Sequence, residues 1–135
     1  MRMQESIIAR GGLLAGIVLA LLAPALTGCG VGPATNQEKI SKTATIYLKA
    51  LADGDAATAC AQLTRRAKGA GCEAAMTEHV SRLDSDALRH AADGSMDIEV
   101  HGDTATAGLS EPEGARLRLV KADGVWRIDS GYTLG

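Results

Sequence analysis

Apolar residues fall into three regimes along the chain. Between Leu13 and Ala25 they are almost continuous, interrupted by Gly16 and Pro24. From about Asn36 to Ala92 they recur every three or four residues, the period of a helix with one buried face. From Met96 to Tyr132 they alternate with polar residues, the period of a strand.

The middle regime divides at its turn residues. Thr35 with Glu38 has the spacing of a capping box, and Ile40, Ala44, Tyr47, Leu48 and Leu51 then form one stripe that ends at Asp53-Gly54. Asp55 can cap a second helix, predicted to run to about Lys68 with Ala56, Cys60 and Leu63 inward. Arg65, Arg66 and Lys68 in its last turn suit the helix dipole. They read as a solvated helix end, with a contact to anionic lipid or to a partner as the other reading. After Gly69-Ala70-Gly71 a third helix places Cys72, Ala75, Met76, His79, Val80 and Leu83 on one face. Asp84-Ser85-Asp86 interrupts it and caps a further short piece through Ala92, which Asp93-Gly94 closes.

In the last regime Met96, Ile98 and Val100 alternate with Asp97, Glu99 and His101, and Gly102-Asp103 marks a tight hairpin. A second strand over residues 104–110 carries Ala105, Ala107 and Leu109 on one face. Glu111-Pro112-Glu113-Gly114 has Pro and Gly where a type I turn prefers them. A third strand over residues 115–121, the Asp123-Gly124 turn and a last strand over residues 125–132 complete the pattern. The prediction is an α+β fold with N-terminal helices packed on one face of a four-stranded antiparallel meander. Asp97, Glu99, Arg116, Arg118, Arg127 and Asp129 then share the opposite face, where cross-strand charge pairs are expected.

The first apolar run has a distinct ending. Arg2 and Arg10 precede it, and Leu26-Thr27-Gly28-Cys29 closes it in a sequence that resembles the lipobox of bacterial lipoproteins. The resemblance implies that residues 1–28 are a removable signal peptide. It also implies that Cys29 is acylated, with palmitate or a similar chain, and that residues 29–35 tether a domain to the extracytoplasmic face of the cell membrane. The competing reading is a membrane-spanning helix over the uncharged residues 11–28. Gly11, Gly12, Gly16, Pro24 and Gly28 weaken it.

That reading changes the cysteine arithmetic. The chain has three cysteines, and with Cys29 acylated, Cys60 and Cys72 are left to pair in an oxidising compartment. A structural bridge is expected, because a redox-active pair would want a CxxC turn. It also changes the size of the folding problem: removing 28 of 135 residues leaves 107. With no Phe, one Trp and two Tyr, their core must be built from alanine, leucine and valine. Net charge moves from −2 to −3 once Arg2, Glu5 and Arg10 leave. A weakly acidic domain lacks the phosphate-neutralising cations of a nucleic-acid binder, so nucleic acid is not an expected partner.

The first helix ends in Leu48-Lys49-Ala50-Leu51-Ala52-Asp53-Gly54-Asp55, the second holds a cysteine, and the last strand reads Gly124-Val125-Trp126-Arg127-Ile128-Asp129. Over residues 36–135 this order resembles the NTF2-like superfamily, especially its small exported lipoproteins. The resemblance implies a curved sheet wrapped around helices as a cone, with a pocket at the wide end to which Tyr47, His79 and Trp126 are candidates. Some members use such a pocket for isomerase or cyclase chemistry on a carbonyl compound, and Tyr47 lies where isomerase-like members carry an oxyanion-stabilising tyrosine. Their residue pattern is not reproduced as a unit here. No catalytic residue is therefore assigned, and Tyr47 is expected in the core with its hydroxyl at the rim.

His79, His90 and His101 stand eleven residues apart without zinc-site spacing, so no metal or cofactor is expected, and His79 reads as a core histidine. The expected function is a non-enzymatic module at the cell envelope, binding a small apolar ligand or an envelope protein. The alternative is an isomerase- or cyclase-like enzyme.

Overall fold

The computed structural model describes residues 34–133. The apolar run, the Leu26–Cys29 motif and the tether as far as Pro33 lie outside them. Five helices precede four strands: α1 (Asn36–Asp53), α2 (Ala56–Ala61), α3 (Arg65–Lys68), α4 (Cys72–Val80), α5 (Ser85–Asp93), β1 (Met96–His101), β2 (Thr104–Leu109), β3 (Arg116–Ala122) and β4 (Val125–Thr133). No helix among the described residues is long and apolar enough to cross a membrane.

The start of α1 is set by a reciprocal pair. Glu38 N–H donates to Thr35 Oγ1 at 3.2 Å, while Thr35 N–H donates to Glu38 Oε2 at 2.6 Å. Two backbone donors that the helix leaves open are thereby satisfied. Gly54 ends the helix in the left-handed region at φ 73°. Between these caps the expected stripe of Ile40, Ala44, Tyr47, Leu48 and Leu51 is buried. Helix α5, capped by Asp84, packs on α1 through the buried Leu88, Ala91 and Ala92.

The second helix departs from its prediction. It stops at Ala61, and residues 62–64 instead run parallel beside β4: Ile128 N–H donates to the Gln62 carbonyl and Thr64 N–H to the Ile128 carbonyl, both at 2.8 Å. The reason is non-local. β4 is an edge strand, and its outward N–H and C=O groups need partners. Thr64 then caps the separate helix α3 by accepting from Ala67 N–H at 3.1 Å.

The four strands form one antiparallel sheet in the order β1-β2-β3-β4. Ala105, Ala107, Leu109, Leu117, Leu119, Trp126 and Ile128 point into the same core as the helices. Asp123 and Gly124 both have positive φ, 52° and 79°, which is what a two-residue hairpin with strand-matching twist requires. The turn after β2 is not the expected type I turn centred on Pro112-Glu113. Its Glu111-Pro112 bond is cis, and Ala115 N–H closes onto the Pro112 carbonyl at 3.0 Å, moving the reversal to Glu113-Gly114. Helix α1 lies on the inner face, reaching β1 through Gln37 and β4 through Asn36 and Thr43.

Candidate functional site

Two of the three pocket candidates lie together in the core. Tyr47 from α1 and Trp126 from β4 are 3% and 2% exposed. The Trp126 indole N–H donates to Asn36 Oδ1 at 3.2 Å, and its backbone carbonyl accepts from Thr43 Oγ1 at 3.4 Å. Lys121 Nζ stands 6.0 Å from the centre of the indole ring. The third candidate is elsewhere. His79 is exposed on α4, so it is not a core histidine; α4 packs against α2, and of its own residues only Met76 is buried. Instead His79 lines a shallow groove of about 200 Å³ with Leu63, Ala67, Lys68, Cys72, Ala75 and Met76.

The cysteine pair forms a disulfide. Cys60 in α2 and Cys72 at the head of α4 are bonded with their Cα atoms 6.2 Å apart. The bond fastens α4 to the domain and closes a loop that contains α3.

The sequence singles out Arg65, Arg66 and Lys68, but not the junction that α3 makes with β4. Asp129, with a side chain only 9% exposed, accepts from Thr64 Oγ1 at 3.0 Å and from the Arg66 guanidinium at 2.6 Å. Arg127 donates to the Ala61 carbonyl at 2.5 Å. Beside these bonds a recess of about 590 Å³ opens between α3 and the β3–β4 hairpin, walled in part by Leu63, Arg65, Lys68, Asp123, Val125 and Arg127. Thr64 is the signal that was available: a threonine placed to cap a second helix start, immediately after an inward leucine.

The outer sheet face differs from expectation because of register. Asp97 pairs with Gly108, which pairs with Arg116; Glu99 pairs with Thr106, which pairs with Arg118. Strand β2 therefore stands between the acids and the bases, and direct cross-strand ion pairs do not form. Arg127 and Asp129 are engaged by α2 and α3. Among the described residues no group of three or more His, Cys, Asp and Glu is arranged to hold a metal ion. His79, His90 and His101 sit on α4, α5 and β1.

No family model, curated protein or solved structure matches the chain.

Proposed function

We propose that the chain is a lipid-anchored, extracytoplasmic protein of NTF2-like type, acting as a non-enzymatic binding or interaction module at the cell envelope. The observation that carries this reading is the burial of Tyr47 and Trp126. An isomerase-like site needs the tyrosine hydroxyl at a substrate cavity, with a carboxyl group whose pKa is raised beside it. Here Tyr47 is 3% exposed inside a core built jointly by helices and sheet. The features open to solvent are the recess beside α3, the groove beneath His79 and the charged sheet face, which suit binding at a surface. The NTF2-like assignment draws support from the element order and from the register shifts between Arg116 and Leu119, irregularities of the kind that bend a sheet.

The anchor draws support from the Leu26–Cys29 motif and from the pairing of the other two cysteines with each other. One acyl chain holds a protein only marginally, so stable attachment needs the multiple acylation that the lipobox implies. The test is fatty-acid labelling and membrane fractionation of cells making the wild type or C29S. Label and membrane association in the wild type, both lost in C29S, are expected; equal labelling of the two overturns the anchor. Crosslinking in the same cells is expected to give a discrete adduct with an envelope component.

A further inference from the structure

We infer that the α3–β4 end of the domain is a membrane-docking face that engages anionic phospholipid headgroups and so orients the anchored domain on the bilayer. The inference rests on the Cys29 anchor proposed above and adds to it a second, non-covalent contact.

Three observations converge on this end. The first is charge. Residues 34–133 carry 12 Lys and Arg against 15 Asp and Glu, so the domain as a whole is repelled by an anionic surface. Yet Arg65, Lys68 and Arg127 wall one recess that includes a single carboxylate, Asp123. Among the described residues Arg65 and Lys68 form no ion pair, whereas Arg66 is held by Asp129.

The second is apolar exposure. Val125 is 47% exposed, the large hydrophobic residue that stands out on the described surface, and it lines the same recess next to the hairpin turn. The groove lined by Ala67, Ala75 and Met76 adjoins it, because Leu63 and Lys68 belong to both. Cations flanking an exposed apolar tip match the headgroup–acyl boundary, which offers negative charge outside and hydrocarbon beneath.

The third is attachment. The chain enters the domain at Asn36, which is bonded to Trp126, the neighbour of Val125. From Cys29 to Thr35 the chain spans six residues, at most about 20 Å when extended. The tether therefore keeps the Asn36 end of α1, and with it Trp126 and the neighbouring Val125, within reach of the lipid surface. Holding it there raises its effective concentration, so a few cations suffice for docking.

The experiment uses the mature acylated chain carrying V125C. With Cys29 acylated and Cys60 bonded to Cys72, the new thiol is the reactive one, and it takes an environment-sensitive fluorophore. The labelled protein is reconstituted into phosphatidylcholine vesicles with or without a third of phosphatidylglycerol. Docking predicts a blue-shifted emission quenched by bromine-labelled lipids in the phosphatidylglycerol vesicles only, reversed by high salt. Adding R65E and K68E should lower the docked-to-undocked ratio by about fivefold or more per site, the effect of losing a basic residue near such a surface. Unchanged Trp126 emission certifies the variant's fold. A label that stays water-exposed in both vesicles, on a protein that still floats with them, overturns the docking face and leaves the anchor standing. A chain without acyl mass on Cys29 overturns both.

Discussion

The indole N–H of Trp126 donates to Asn36 Oδ1 at 3.2 Å, joining residues 90 positions apart in the chain. It is the polar fastening between the first turn of the first helix and the last strand. Trp126 is 2% exposed, while Asn36 at the start of α1 is open to solvent, so the bond lies at the boundary of the core. Replacing Asn36 with Ala should cost about 0.5–1.5 kcal/mol, the net contribution of an ordinary hydrogen bond. Trp126 is the chain's single tryptophan, so its emission follows urea unfolding without a label. An unchanged midpoint in N36A would mean that water replaces the asparagine without loss.

The Cys60–Cys72 bond closes a loop with a sequence separation of 12. Constraining the unfolded chain by a loop of this length contributes about 3 kcal/mol in the chain-entropy picture. For a domain whose core holds one tryptophan and no phenylalanine, that is a large share of its net stability. The double variant C60A/C72A is expected to unfold about 3 kcal/mol more easily, measured by urea titration against the oxidised wild type. A difference below about 1 kcal/mol would show that the reduced chain is already held together by residual contacts.

What could be read in the sequence was local, and what could not was set by partners far along the chain. The capping box at Thr35 and Glu38 and the stripe from Ile40 to Leu51 depend on residues within a few turns of each other, and they form as expected. The strand alternation is equally local, and its inward set is buried on β2 and β3 and half-buried on β1. Leu63 has an inward-facing period too, but whether it continues a helix or pairs with Ile128 depends on the open edge of β4, 65 residues later. His79 fits the apolar stripe of its helix, but the arrangement of α4 against α2 buries Met76 from that stripe and leaves Ala75 and His79 in solvent. The sheet's charges alternate as expected, while their pairing is decided by a register that puts Gly108 and Thr106 between them.

Thr64 does two tasks at that edge. Its hydroxyl accepts from Ala67 N–H and donates to Asp129, while its backbone N–H reaches the Ile128 carbonyl. T64V keeps the shape and the backbone bond but removes both hydroxyl bonds. Loss of a helix cap costs about 0.5–2 kcal/mol, and Asp129 loses one of its two donors as well. The expected result is destabilisation of about 1–2 kcal/mol, with faster hydrogen exchange at Ile128 N–H, which donates to Gln62 in the same short bridge. Exchange unchanged at Ile128 would show that the residue 62–64 segment stays docked without the threonine.

Acid should weaken the same class of interaction at two helix starts. The Thr35 backbone N–H, and after it the Thr35 hydroxyl, hold the Glu38 carboxyl below its ordinary value. The Thr58 hydroxyl, and after it the Thr58 N–H, do so for Asp55 at the start of α2. In both cases the folded chain binds the proton more weakly than the unfolded chain, so protons taken up on acidification favour unfolding. The stabilisation is complete above the ordinary carboxylate range and fades as pH falls through the lowered folded values. Both carboxyls face water, so solvent screening keeps each contribution small. E38Q and D55N separate charge from capping, because glutamine still completes a capping box and asparagine still caps a helix. The double variant should match the wild type closely at neutral pH and lose less stability on going to a pH of about 3, read from paired urea titrations. If wild type and variant lose the same amount, the acid sensitivity does not lie in these two caps.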